Sequence, residues 1–290
     1  YVNQGANVID LGCMPDTEFN HLEEVVKALK SLNIKVSVDS ADNEELIRGS
    51  QAGADFILSI SEKNLEIMNK IKATPILIPS KQADLKSLER IIDIFLKRKK
   101  DFFADPILDP IHYGFADSIM RFITIRKKYP EIKIFMGTGN LTELTDCDSS
   151  GVNATMMGLV SELNIKGVLV VQVSGHCRNS IKETDIARKI MYFSKVNKRL
   201  PFRINEGLMT TSNRKPSRKS RAELNEIRKL IKDKNFRIYL SNNGINIFNS
   251  EIHLLGKDPF DFYKSLDVDN DASHAFYLGV ELARAQIAHQ

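Results

Sequence analysis

Acidic, amide and basic side chains recur at the ends of short apolar runs in the first two thirds of the sequence. Asp39 closes the run KVSVD, and Asp105 closes the run DFFAD. Because an ionised carboxylate accepts two hydrogen bonds side by side, two such groups suit a ligand rich in N–H donors, such as a nitrogen heterocycle. Further candidates of the same kind are Asp10, Ser59, Ser61, Asn140, His176 and Arg178.

Each candidate also has an ordinary structural explanation. Asp39 competes with Asp42 to cap the helix that starts near Glu44, while Asp105 precedes a proline and can shape a turn. Asp10 can be a buried structural carboxylate. Only the joint pattern, in which several acceptors meet at one cavity, indicates a binding site.

The elements that must position these side chains alternate along the chain. Short apolar runs are separated by longer segments with apolar residues at three- and four-residue spacing, which is typical of strand–helix units around a parallel sheet. Seven strands are predicted, at residues 7–12, 35–39, 56–60, 75–79, 101–105, 133–137 and 168–173. Helices are predicted between them, at residues 19–31, 44–52, 84–97, 115–128 and 152–163.

The predicted fold class is α/β, as a (β/α)8 TIM-type barrel that lacks its first strand in this chain. The opening residues YVNQG look like the last turn of a helix closed by Gly5, so the missing strand is expected upstream, within a larger natural protein. An open doubly wound sheet, for which seven strands would be complete, is the alternative. Both architectures place ligand-binding residues at the carboxyl ends of the strands.

The pattern changes after Arg199. Residues 1–199 are predicted to form the barrel, residues 200–219 a linker, and residues 220–290 a small C-terminal α+β domain. In this last segment Asn243-Gly244 separates two alternating apolar runs, which is a strong hairpin signal.

Charge and cysteine content narrow the class of protein. The 41 basic and 37 acidic residues nearly balance, so no nucleic-acid partner is expected, and the local basic run at residues 213–221 is interpreted as a solvated linker. The 3 cysteines lack paired spacing, which indicates neither a disulfide framework nor a thiolate zinc site and favours a cytoplasmic location. No apolar run reaches the roughly 18 residues of a membrane span, so no membrane partner is expected either.

Several motifs resemble those of one family. GANVIDLG, VSVDS followed by AGADFILSIS, and DPILDP resemble, in order and spacing, the pterin-binding barrels, which include dihydropteroate synthase and the methyltetrahydrofolate methyltransferases. FMGTGNLTEL, DSSGVNA and DASHAFYLGVELARAQIA are similar to the dihydropteroate synthase-related branch of methanogens, other archaea and methylotrophs. The resemblance covers essentially the whole chain and implies a reduced pterin as substrate or ligand.

The resemblance also implies a role for each matching residue. Asp39 would take N–H groups of the pterin ring, and Asp105 its 2-amino edge. Asn140 would lie near the reactive ring nitrogen, and His176 and Arg178 near an anionic group. The implied catalytic set is Asp39, Asp105, His176 and Arg178, and the implied substrate-binding set is Asp10, Asp39, Ser59, Asp105, Asn140 and Arg178.

Two departures from the family pattern affect this assignment. Leu58 stands where an asparagine is expected, so one pterin hydrogen bond is lost or is supplied by Ser59. The synthase lysine of the penultimate strand is replaced by the neutral segment GTGN. A diphosphate leaving group therefore has one cation fewer to stabilise it.

The activity implied is that of a transferase joining a pterin-6-methyl diphosphate to an aromatic amine in tetrahydromethanopterin or folate biosynthesis. A Mg²⁺ ion on the diphosphate is compatible with this chemistry, although no ligand cluster in the sequence demands one. The alternatives are a pterin-dependent methyltransferase acting with a corrinoid protein, to which Asn140 and the missing lysine point, and a non-catalytic pterin-binding scaffold. By analogy with the family, a homodimer is expected.

Overall fold

The computed structural model describes residues 1–209 and 217–290. Within these ranges the chain forms two compact units, Tyr1–Leu208 and Met209–Gln290. The predicted linker at 200–219 and the basic run at 213–221 lie partly outside the described residues. Across the two ranges, no helix combines the length and the apolar character that a membrane span needs.

The first unit is built on one seven-stranded parallel sheet whose strands are neighbours in chain order. A doubly wound sheet reverses its strand order at a switch point, whereas a barrel adds strands in sequence. The unbroken order therefore confirms the barrel and excludes the alternative. The strands are β1 (Val8–Gly12), β2 (Lys35–Asp39), β3 (Phe56–Ile60), β4 (Thr74–Leu77), β5 (Phe103–Ala104), β6 (Lys133–Gly137) and β7 (Gly167–Leu169).

Helices connect the strands and cover the outer face of the sheet. Gly49 allows a close approach here, because a Cβ atom at this position would lie 2.8 Å from a methyl group of Val38 on β2. The helices of the first unit are α1 (Leu22–Ser31), α2 (Asn43–Ala52), α3 (Leu85–Lys97), α4 (Phe115–Lys128), the short α5 (Gly139–Thr142), α6 (Ser149–Glu162) and α7 (Ser180–Val196).

Two strands, β5 and β7, are shorter than predicted by three residues each, for identifiable reasons. The strand expected at 101–105 has only two residues in regular pairing; Asp105 still donates its N–H to the Leu77 carbonyl, but Pro106 has no N–H with which to continue. The strand expected at 168–173 ends at Leu169. Beyond it the N–H groups of Val173 and Ser174 donate to the Glu143 carboxylate rather than to a neighbouring strand.

The inner face of the sheet carries an aromatic layer and an open side. Phe56, Phe103 and Phe135 meet edge to face, with ring centroids 5.9 and 6.4 Å apart. These rings line a cavity of about 460 Å³, together with residues of β1 and β7, the two edge strands of the sheet. The seven strands form a curled sheet that is open on this side, which confirms the predicted α/β barrel class.

The second unit contains a three-stranded antiparallel sheet of β8 (Arg237–Ser241), β9 (Gly244–Phe248) and β10 (His253–Gly256), in the order β10–β9–β8, which packs on the last helix of the unit. The predicted hairpin is confirmed: Ser241 pairs with Gly244, and Asn242 and Asn243 form the turn. Ile245, Ile247 and Leu278 belong to its core. Its elements are α8 (Arg221–Leu230), β8 (Arg237–Ser241), β9 (Gly244–Phe248), β10 (His253–Gly256) and α9 (Ala272–His289).

Candidate functional site

Strand register places two of the predicted carboxylates on the inner face of the sheet. Asp10 on β1 is the register partner of Ser37 on β2, whose hydroxyl group donates to Asp10 Oδ1 at 2.5 Å. Asp39 lies two residues beyond Ser37, and side chains two apart on a strand point to the same side. Because Asp10 and Ser37 line the inner cavity, Asp39 also faces inward, roughly 7 Å closer to the mouth.

Asp39 is not the helix cap that the sequence also allowed. Asp42 takes that role, accepting the Glu44 N–H at 2.7 Å. Asp39 instead accepts a long hydrogen bond, 3.5 Å, from the Ser59 hydroxyl group. Burial, with a smaller contribution from the charge of Asp10, raises the pKa of Asp39 to about 6. Burial also raises the pKa of Asp10, against the opposing hydrogen bond from Ser37.

Leu58 explains part of the low polarity around Asp39. It is the register partner of Asp39, is 5% exposed and lines the inner cavity. An aliphatic side chain therefore occupies the position where the family pattern led us to expect an amide. It withholds a hydrogen bond and removes water from the neighbouring carboxylate.

Asp105 follows β5 directly and presents a carboxyl group at the same end of the sheet. Its Oδ1 accepts the Ile107 N–H at 2.8 Å, so the turn-shaping role is real. Its Oδ2 accepts no hydrogen bond from the residues that the structure describes. Burial raises the pKa of Asp105 to about 7; the charge of Asp39 acts in the same direction, while the Ile107 N–H and Arg121 oppose it. Asp39 and Asp105 stand at the carboxyl ends of β2 and β5, at the same end of one parallel sheet.

Asn140 connects two loops at the mouth. It belongs to α5, after β6, and its Nδ2 donates to the Leu108 carbonyl at 2.8 Å, in the loop that follows β5. The side chain is thus partly committed to structure. Its Oδ1, which accepts no bond from the described residues, is the atom available for a ligand.

His176 and Arg178 follow β7 and are held less firmly. The half-buried His176 has Nε2 3.0 Å from the Thr142 carbonyl, which requires that nitrogen to carry the proton. Arg178 is exposed and forms no ion pair among the described residues. The backbone of this segment is fixed by Glu143, whose carboxylate accepts the N–H groups of Val173 and Ser174 at 2.8 Å each.

Sequence reasoning did not identify three residues that shape the mouth: Asp109, Arg121 and Glu143. Asp109 and Arg121 form a buried ion pair with an N–O distance of 2.5 Å, next to the loop after Asp105. The second aspartate of the motif DPILDP, which is Asp109, was the one sequence signal for this ion pair. Nothing in the motif indicated that its partner would be an arginine twelve residues later.

Within 1–209 and 217–290 there is no group of three or more histidine, cysteine, aspartate or glutamate residues that could hold a metal ion.

Solved structures similar to this chain are dihydropteroate synthases. That of Yersinia pestis with a pterine-sulfa conjugate aligns with a TM-score of 0.51 at 18% identity, covering 68% of this chain and 85% of that one. The enzyme of Coxiella burnetii in complex with pteroic acid gives 0.50 at 16% identity, covering 67% and 82%. The chain has the fold of a dihydropteroate synthase. The 7,8-dihydropteroate synthase of Vibrio fischeri, at 11% identity and a TM-score of 0.50 with 67% and 81% covered, agrees with this fold.

Sequence comparison gives a more distant connection. No protein-family model matches the chain. An uncharacterized protein of Methanocaldococcus jannaschii is 29% identical over an alignment that covers 99% of this chain. The chain spans 62% of the length of that relative. The comparisons thus establish the fold of the chain.

Proposed function

We propose that this chain binds a reduced pterin between Asp39 and Asp105. The observation that carries the proposal is this pair of desolvated carboxyl groups, which end β2 and follow β5 in one parallel sheet with the fold of a dihydropteroate synthase. A pterin presents N–H groups along one edge, and carboxylates are strong acceptors for such an edge. The pterine-sulfa conjugate and pteroic acid named with the Yersinia pestis and Coxiella burnetii enzymes support the choice of ligand.

We propose further that the protein is a transferase that joins a pterin-6-methyl diphosphate to an aromatic amine. In this reaction the bond between the methylene carbon and the diphosphate oxygen breaks, and the amine nitrogen bonds to that carbon and releases a proton. Asp39 and Asp105 orient the ring, and Arg178 and His176 stabilise the departing diphosphate. The reaction needs no protein nucleophile.

The archaeal relative supports a place in tetrahydromethanopterin or folate biosynthesis. The uncharacterized protein of Methanocaldococcus jannaschii aligns with almost the whole of this chain. We therefore propose an aromatic amine from that biosynthesis as the acceptor, and a lineage shared with the archaeal dihydropteroate synthase-related proteins.

A non-catalytic pterin-binding protein is the second candidate. The neutral segment GTGN and the exposed Arg178 leave the anion-binding side of the mouth weakly built, whereas the ring-binding side keeps both Asp39 and Asp105. Formation of product from pterin diphosphate and p-aminobenzoate, or its ribosyl derivative, would favour the transferase. Pterin binding without turnover of either amine would favour the second candidate.

Calorimetric titration with a reduced pterin tests the binding proposal. We expect Asp105→Asn to weaken binding at least tenfold, about 1.4 kcal/mol, because a charged acceptor is lost. Asp101→Asn is the matched control: it removes a carboxylate at the opposite end of β5, where Asp101 pairs with Lys133 on the surface. Absence of binding to the parent protein, or equal affinity of parent and Asp105→Asn, would refute the proposal.

A further inference from the structure

The loop after β5, residues 105–109, is folded around one buried guanidinium group. Arg121 on α4 is 8% exposed. Its Nε donates to the Pro106 carbonyl at 3.2 Å, and its Nη2 donates to the Ile107 carbonyl at 2.9 Å and to Asp109 Oδ2 at 2.5 Å. The guanidinium group of one arginine thus binds three of the five loop residues with donors held in a fixed planar geometry.

Asp109 completes the arrangement from inside the same loop. It is 4% exposed, and its second oxygen, Oδ1, accepts from Gln82 Nε2 at 3.1 Å. Since both charged groups are shielded from water, each depends on the other for compensation. The pair lies beneath the mouth surface, so its effect on a ligand must pass through the loop.

Ile107 shows that the loop is held rather than relaxed. Its φ of 64° lies in the left-handed region, which a β-branched residue rarely adopts. The Ile107 carbonyl is bound by Arg121, and the Ile107 N–H is bound by Asp105 Oδ1. The contact that stabilises the strained residue is therefore one peptide unit from the contact that orients the Asp105 carboxyl group.

The charges near Asp105 come from three elements. Asp39 at the end of β2 disfavours its ionised form, and Arg121 on α4 favours it. Asp109, in the loop itself, sits on the guanidinium and offsets its positive charge. The net effect of nearby charges on the ionisation of Asp105 thus depends on both Arg121 and Asp109.

We propose that Arg121 and Asp109 are a positioning pair for the Asp105 carboxyl group. The guanidinium fork holds the strained loop in the conformation that directs Asp105 into the mouth. The Asp109 carboxylate keeps the fork from adding an unbalanced positive charge there. The consequence for ligand binding rests on the proposed pterin function, whereas the effect on Asp105 itself belongs to the ligand-free protein.

Three variants test the pair in the ligand-free full-length protein: Asp109→Asn, Arg121→Gln and the double variant. The pKa of Asp105 is measured by ¹³C NMR on aspartate-labelled protein, with Asp105→Asn to assign the signal. We expect Asp109→Asn to lower this pKa by about 1 and Arg121→Gln to raise it by about 1, because they leave opposite charges unbalanced. In the double variant, the pKa should stay close to that of the parent.

Exchange of the Ile107 amide proton measures the positioning role separately. We expect it to be at least about tenfold faster in the double variant than in the parent, because the fork no longer holds the Ile107 carbonyl. The double variant leaves neither charge unpaired. Its Ile107 exchange rate is therefore sufficient to test the positioning role even where a single variant does not fold. Asp101→Asn, which breaks an exposed ion pair, should change neither readout.

The outcomes separate this proposal from the pterin proposal. Parent-like Ile107 exchange in the double variant, or equal shifts of the Asp105 pKa in both folded single variants, would overturn the positioning role whether or not pterin binds. If the parent binds pterin, the double variant should bind it at least about fivefold more weakly, and parent-like affinity would likewise overturn the proposal. Failure of the parent to bind pterin would refute the proposed function and leave the NMR tests in force.

Discussion

The two sides of the barrel mouth are constructed in different ways. The acidic side, Asp10, Asp39 and Asp105, lies within or directly after strands, and burial raises the pKa of each carboxyl group. The basic side, His176 and Arg178, follows β7 on a short turn, and Arg178 is exposed. In the proposed function, ring recognition would therefore rest on the sheet and anion binding on a solvated segment.

This difference has an energetic counterpart. A carboxylate removed from water and placed near other carboxylates is a strong acceptor for a ligand, but it destabilises the ligand-free protein. An exposed arginine has no such cost and makes a correspondingly weaker contact. Three predictions test whether the two sides differ as described.

The largest effect is expected on stability. Asp105→Asn should raise the free energy of unfolding at pH 8 by about 2 kcal/mol, because the buried negative charge is lost while an oxygen remains to accept the Ile107 N–H. The pKa of Asp105 is about 7 in the folded protein and close to 4 in the unfolded chain, so the folded state binds more protons between these values. The parent thus loses stability as pH rises through this window.

Urea unfolding at pH 4 and pH 8 checks this prediction. The advantage of Asp105→Asn should be full at pH 8 and small at pH 4, while Asp101→Asn should differ from the parent by less than about 0.5 kcal/mol at both. A less stable Asp105→Asn protein at pH 8 would mean that the acidic side is not strained.

The next effect concerns the pH dependence of pterin binding. With the pKa of Asp105 at about 7, its ionised fraction falls about tenfold between pH 8 and pH 6, and Asp39 adds to the loss at the lower end. Pterin affinity should therefore fall at least about tenfold over this range in calorimetric titrations, and the fall should be smaller in Asp105→Asn. Affinity that rises on acidification would show that the neutral carboxyl groups act as donors.

The smallest effect is expected on the basic side. Arg178→Ala should weaken the binding of a pterin diphosphate about fivefold and leave a pterin without diphosphate within about twofold, because an exposed cation contributes one screened contact. Lys133→Ala, which removes a cation at the opposite end of β6, serves as the control. An equal loss of affinity for both ligands would mean that Arg178 contacts the ring, and would contradict the proposed difference between the two sides.

The sequence by itself predicted the seven strands and the end of the sheet at which Asp39 and Asp105 lie, because apolar spacing defines each element and parallel strands direct their carboxyl ends to one edge. The strand order, which excludes a doubly wound sheet, came from the tertiary structure. Only the tertiary structure decided that Asp42 caps α2, that Asn140 binds the Leu108 carbonyl, and that Arg121 meets Asp109. These outcomes depend on side-chain contacts between segments far apart in the chain. The local sequence pattern does not indicate which distant side chains will come into contact. It also does not show how far burial removes each carboxyl group from water.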